Sequence, residues 1–321
     1  MGKKKVLVVG GAGYIGGSTV DELLVNGHDV SVYDLLVYEP RYLKSINFIH
    51  GDIRDTDKLI KISEQYDTII LMAALVGDPA CQVDLKLTEE INYFAIRDFC
   101  KKIDPGKHLI FMSTCSVYGT QDGILDEDSP TSPLSSYAST KLSSEKYIKE
   151  HNGTIFRLGT VYGLGDNFSR IRMDLVVNVL TMHAYYDKEI TINGGEQWRP
   201  IISVIDIAKY IVEAVERDIR GTYVLSKENI NIRDLGFKIA SLVPGTKINY
   251  IEIPFQDARN YRVSTKKADS IFQHRPFVTV EDEVNRFLTL FKENRIAKPT
   301  DQVYHNGVHI KNSLSIFNNQ F

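Results

Sequence analysis

The stretch "KVLVVGGAGYIGG", Lys5–Gly17, decides how the fold is read. Val6 to Val9 form an unbroken apolar run, the mark of a strand buried on both faces. After the glycines, "STVDELLVNG" spaces Val20, Leu23 and Leu24 along one face of a helix, and Gly27 is a plausible stop. Between strand and helix stand Gly10, Gly13 and Gly16. Gly10 suits a turn closed to other residues, Gly13 leaves room for a pyrophosphate at the helix N-terminus, and Gly16 lets helix and strand pack closely. Tyr14 and Ile15 sit inside the same turn. A second strand, "DVSVYD", ends in an acid at Asp34, which completes the context of a dinucleotide site.

Asp34 bears on which dinucleotide binds. A carboxylate at that strand end accepts hydrogen bonds from ribose hydroxyls and repels a 2′-phosphate. No Arg or Lys follows directly, since Arg41 comes late, so NAD is expected over NADP. The competing reading is a turn cap. In "GDIRD", Asp52 and Ile53 are placed to border the adenine and Asp55 to cap a helix. Ala73 and Ala74, after a fourth strand, are small enough for backbone to lie against a cofactor.

Strand-like and helical segments alternate as far as "FRLGTVYG", which implies parallel βαβ units. The helix signals include Thr88–Lys101 and one from Ser136 to about Glu150. Gly119–Ser136, rich in Asp, Pro and Ser, reads as a loop. After Gly163 the rhythm changes to a mixed set of helices and short strands. We expect residues 1–163 to be mainly cofactor-binding and 164–321 mainly a substrate lobe, with segments such as "GTYVLS" able to return to the main sheet. The Asn-rich tail, 299–321, reads as docking on the body or on a partner subunit.

With 41 acidic and 38 basic residues among 321, the chain carries no nucleic-acid footprint. The three cysteines lack metal-site spacing, and no metal is expected. No apolar run reaches membrane-spanning length, so a soluble cytoplasmic protein is the expectation.

"SSYASTK", Ser135–Lys141, supplies chemistry. Tyr137 and Lys141 share one helix face. A free phenol titrates near 10, and a neighbouring cation favours the phenolate. Tyr137 can then take a proton from an alcohol whose hydride leaves the same carbon. Thr114, at the end of "HLIFMST", is placed to hold the substrate oxygen, and Lys141 to grip the nicotinamide ribose.

At this point the chain resembles the extended short-chain dehydrogenase/reductases that act on nucleotide sugars. The likeness rests on "GGAGYIG", Asp34, "GDIRD", "EEINYFA", "MSTCSVYG", "YASTK", "FRLGTVYG" and "QWRPIISVIDIA", over about residues 3 to 290. It implies an α/β protein: a modified Rossmann fold with a parallel sheet that binds NAD, and a smaller mixed C-terminal lobe that binds a nucleotide-diphosphate sugar. It also implies a homodimer. Asn92 resembles a helix Asn that buttresses the strand ends. Arg199 resembles an Arg reaching the diphosphate, and Arg259 a second, with Arg262 as its rival in register. Thr160 replaces the common substrate-contacting Asn. Arg170, Arg172 and Asn178 stand at a lobe entrance, where Arg172 faces either substrate or solvent. Trp198 either stacks on a base or packs.

The departures narrow the chemistry. Family dehydratases carry "TDEVYG", whose Asp and Glu move protons across C5 and C6; here those positions hold Cys115 and Ser116. Val76 stands where galactose 4-epimerases have a Lys. The resulting expectation is oxidation of a carbinol, C4 first, of a nucleotide-linked hexose or heptose, as an epimerase. The alternatives are a net 4-dehydrogenase or 4-ketoreductase and, from a different class, a non-catalytic nucleotide-binding regulator.

Overall fold

A computed structural model of the chain describes residues 2–38, 40–166, 170–252, 260–296 and 299–318. The strands, in chain order, begin with β1 (Lys5–Val9), β2 (Asp29–Asp34), β3 (Asn47–His50), β4 (Thr68–Leu71) and β5 (His108–Thr114). Next come β6 (Thr120–Leu125), β7 (Thr154–Leu158), β8 (Thr160–Tyr162), β9 (Glu189–Asn193) and β10 (Trp198–Ser203). Last are β11 (Gly221–Leu225), β12 (Glu228–Asn231), β13 (Lys247–Ile251) and β14 (Asn260–Val263).

Seven parallel strands form the main sheet in the order β11-β7-β5-β4-β1-β2-β3. The chain leaves β1 for β2 on one side and returns through β4 on the other. That reversal opens a crevice at the carboxyl ends of the strands, where α/β sheets bind ligands. Leu7, Ile69 and Phe111 pack under one face with Phe99 and Ile148. Val8, Ile70 and Ile110 pack under the other with Val20, Ile207 and Ile211. Helix α1 (Tyr14–Val25) and the helix Val204–Arg217 cover this second face.

A separate apolar cluster, including Val177, Leu180, Ile190, Ile239 and Phe287, forms the core of the smaller lobe. The strands outside the main sheet make small sheets: β12-β10-β8, β13-β9 and β14-β6. The last of these corrects the loop expected over Gly119–Ser136, because β6 lies within it and pairs with β14. "TQDGIL" has no clean alternation, and its partner is far along the chain, so no local signal marks it. The expected helix Thr88–Lys101 is three pieces: Leu85–Glu89, a π-turn at Glu90–Phe94, and Ala95–Lys102. The strand "GTYVLS" joins the main sheet beside β7. The tail carries a helix, Asn306–Asn318, whose Ile310 and Phe317 enter the core beneath the main sheet. Among the described residues, no helix is long and apolar enough to cross a membrane.

Candidate active site

The crevice is a cavity of about 650 Å³. Gly10, Gly13, Tyr14, Ile15, Gly16, Asp34, Asp52, Ile53, Ala73 and Ala74 line it from the main sheet. Thr114, Tyr137 and Lys141 line it at the end of β5, and Thr160, Arg172 and Arg199 from the smaller lobe.

The glycine turn is sterically committed. Gly10 has φ +91°, and a Cβ there would meet the Ala73 nitrogen at 2.4 Å. A Cβ on Gly16 would sit 2.3 Å from the Gly10 carbonyl oxygen. Helix α1 starts at Gly13 with no side-chain cap, so its first amides remain available to an anion. Asp34 closes the other side. Its Oδ2 accepts from the Ala12 amide at 3.0 Å and its Oδ1 from the Leu36 amide at 2.8 Å. Burial pushes its carboxyl up, and those two amides oppose the shift. Asp34 therefore caps the turn and faces the cavity at once. Asp52 also faces the cavity, but its carboxylate is held by the Arg54 guanidinium at 2.8 Å. Asp55 caps the helix Thr56–Ser63 by accepting from the Lys58 amide at 3.2 Å. An uncapped helix start, a glycine cradle and a strand-end carboxylate together fit NAD.

Asp34→Ala is expected to weaken NAD binding by roughly tenfold to a hundredfold, the worth of a hydrogen bond to a charged group. It should also narrow the preference over NADP. Calorimetric titration with both cofactors checks this; equal affinity of the unmodified protein for the two would sink the assignment.

Thr114 ends β5 and turns its hydroxyl back to accept from the Ser116 amide at 3.1 Å. The helix Ser136–Glu150 is capped by Ser135, which accepts from the Ala138 amide at 3.3 Å. One turn in, Tyr137 and Lys141 reach the cavity side by side. Burial, then the charges of Cys81 and Asp78, push the Tyr137 phenol above its ordinary range, while Arg172 and a hydrogen bond with Thr114 oppose this. Burial pushes Lys141 down to about 8. Its ammonium lies 4.7 Å over the Phe111 ring. In the protein alone the phenol thus keeps its proton, and the cation expected to help is itself burdened by burial.

Asn92 sits in the π-turn and clamps one cavity residue, accepting from the Leu75 amide at 2.8 Å and donating to the Leu75 carbonyl at 2.9 Å. Such turns occur within α-helices, often at functional sites. Cys115 is fully buried and donates to the Arg157 carbonyl at 3.3 Å; burial pushes its thiol up. Ser116 lines the cavity. Neither position holds a carboxylate.

On the lobe side, Arg172 faces the cavity rather than solvent, with its Nε 2.9 Å from Asp174. Arg199 is buried on β10 and donates to the Trp198 carbonyl at 2.9 Å. Trp198 has the Arg262 guanidinium 5.4 Å over its ring. Asn178 does not line the cavity. Its carboxamide is used on backbone, accepting from the Gly163 amide at 3.0 Å and donating to the Gly163 and Arg172 carbonyls at 3.1 and 2.7 Å. Arg259 lies outside the described residues. The cavity also takes Tyr38, Asp78, Gln197 and Tyr261, and from the tail Asn306, Ile310 and Phe317. Asp78 was open to notice as an acid just past the fourth strand; the tail carried no motif.

The family model for the NAD dependent epimerase/dehydratase family matches residues 6–231. A putative UDP-glucose 4-epimerase of Methanocaldococcus jannaschii is 28% identical over 90% of this chain and 99% of its own length. The UDP-glucuronic acid 4-epimerase of Bacillus cereus, solved with UDP-glucuronic acid and NAD, is 26% identical. It superposes with a TM-score of 0.76 over 90% of this chain and 99% of that one. The dTDP-glucose 4,6-dehydratase of Bacillus anthracis, solved with NAD, also has a TM-score of 0.76, over 91% of this chain and 97% of that one. At 21% identity that last likeness is one of fold.

Proposed function

This chain belongs to the NAD dependent epimerase/dehydratase family, with NAD as its cofactor, and on that premise we propose that it inverts C4 of a nucleotide-linked sugar. The observation that carries the reading is the convergence of Thr114, Tyr137 and Lys141 on one cavity with Asp34 at the sheet side and Arg172 and Arg199 at the lobe side.

NAD, when bound, would accept the hydride that leaves the sugar carbon and give it back to the opposite face of the ketone. Tyr137 takes the hydroxyl proton as the carbon becomes a ketone, and Thr114 holds the same oxygen. Lys141, unpaired by any described carboxylate, would hold the ribose hydroxyls of the cofactor, and its charge would favour the phenolate. Arg172 and Arg199 suit the diphosphate, whose oxygens match a guanidinium fork. Tyr137 then returns its proton once the ketone has presented its opposite face. The 4-epimerase relatives support C4 as the reacting carbon. Buried Cys115 and hydroxyl-bearing Ser116 give no carboxylate pair for C5–C6 elimination.

Incubation with UDP-hexoses, followed by mass spectrometry and chromatography, is expected to give an epimer of unchanged mass without accumulation of NADH. A product lighter by two hydrogens, with matching NADH, would make the enzyme a net dehydrogenase instead. Loss of one water from the sugar would overturn the exclusion of dehydration.

A further inference from the structure

The tail helix Asn306–Asn318 and the segment before it shape a cation in the cavity wall. Arg170 is 6% exposed and lines the cavity. Its Nε donates to the Val303 carbonyl at 2.5 Å, and its Nη1 donates to the Asn306 Oδ1. Its guanidinium carbon lies 3.8 Å over the Tyr38 ring. Its Nη2 is buried and, among the described residues, has no hydrogen-bond partner, and neither has the Tyr38 hydroxyl. Arg172 nearby is neutralised by Asp174. Among the described residues, no carboxylate pairs with Arg170. Burial, with the nearby Arg172 charge, pushes its pKa down to about 10, and Tyr38 and Asp174 oppose this only in part.

Asn306 is the part that aims this group. Its amide donates to Asp174 Oδ2 at 2.9 Å and its Nδ2 to the Val76 carbonyl at 2.7 Å, while its Oδ1 accepts from Arg170. One residue of the tail thereby ties together the loop after β4 and both arginine positions. A buried guanidinium with an orphan donor is costly unless an anion meets it. The fork suits phosphate oxygens.

We propose that Arg170, positioned by Asn306, is a diphosphate-binding residue of the cavity, so that the C-terminal segment completes the ligand site. The proposal rests on the function proposed above, which brings two diphosphates into this cavity, the cofactor's and the sugar nucleotide's. Tyr38 follows β2 and Asp34, which sets Arg170 on the dinucleotide arm.

The test titrates NAD, UDP, adenosine and uridine into unmodified protein, Arg170→Met, Arg170→Lys and Asn306→Ala, with melting temperatures alongside. Met keeps the apolar stem, and replacing a buried ion in this way is often tolerated. Arg170→Met is expected to weaken one diphosphate ligand by about tenfold to a hundredfold, and its nucleoside by less than about twofold. A loss confined to NAD assigns the cofactor pyrophosphate; a loss confined to UDP assigns the substrate diphosphate. Arg170→Lys should recover part of that loss through its charge. Asn306→Ala should weaken the same ligand by a smaller factor and add little on top of Arg170→Met. Should Arg170→Met fail to fold, the Lys and Asn306 variants carry the same comparison. Equal losses for nucleoside and diphosphate, or unchanged affinity in a folded Arg170→Met protein, overturn the proposal alone. Unmodified protein that binds neither NAD nor UDP would instead bring down the proposed function itself.

Discussion

With Tyr137 replaced by Phe, sugar-nucleotide turnover falls by about 10²–10⁴, the usual share of a general acid/base, while NAD binding persists. Phe keeps the ring's packing and removes only the proton carrier. The size of the loss follows from the site's shape. Thr114 is the neighbouring hydroxyl, but it is a weak acid/base and is already turned to the Ser116 amide. The Cys81 thiol, buried and pushed up to about 12, is a poor substitute. Single-turnover rates with NAD-loaded protein measure the effect. Turnover within a few-fold of the unmodified enzyme would exclude Tyr137 as the proton carrier.

Lys141→Met is expected to move activity and stability in opposite directions. Activity drops by about 10² or more, because the charge beside the phenol and the grip on the ribose are lost together. Stability of the ligand-free protein rises. Lys141 is 3% exposed, and its pKa falls from 10.5 to about 8. At about 1.4 kcal/mol per unit, that is a penalty on the order of 3 kcal/mol for keeping the ammonium buried, offset in part by the Phe111 ring. The sign fixes the pH window. Below pH 8 folded and unfolded chains both hold the proton, so the penalty is complete. Between 8 and 10.5 the folded chain releases it first, and the stability of the unmodified protein climbs relative to the variant. Above 10.5 the penalty is gone. Melting curves of both proteins across pH 7 to 10.5 check this, with the largest gap at the acid end. A variant less stable than the parent at pH 7 would mean that Lys141 makes a favourable contact outweighing its desolvation.

The parts of the site that were legible share one property: their signals are local. Gly10, Gly13 and Gly16 lie between one strand and one helix, Asp34 ends the next strand, and Tyr137 and Lys141 are a helical turn apart. Each pattern is complete within a few residues, so propensity and spacing suffice. Arg172 was legible as a candidate but not in direction, since its orientation depends on Asp174 and on the tertiary approach of Tyr14. Asn178 shows the converse. An amide near the entrance reads equally as a ligand group or a backbone clamp, and only the position of Gly163 shows where its carboxamide goes. The tail was opaque because its helix is weakly periodic and its contacts reach residues as remote as Val37 and Arg54. β6 was hidden for the same reason, its partner strand lying near the other end of the chain.

The placement of β11 has a bearing on how this protein can be taken apart. β7 is buried along its whole length, with β5 on one flank and β11 on the other. A gene cut after Gly163 would turn that interior strand into a rim, with a row of amides and carbonyls facing water beside the buried Ile155, Phe156 and Leu158. Rims of that kind recruit strands from other molecules. The interchangeable module is therefore not the first half of the chain. It is that half together with a splint spanning the helix Val204–Arg217 and β11, threaded in from the second half. A chimera that grafts a new smaller lobe onto this scaffold must keep the splint, and replace only what lies on either side of it.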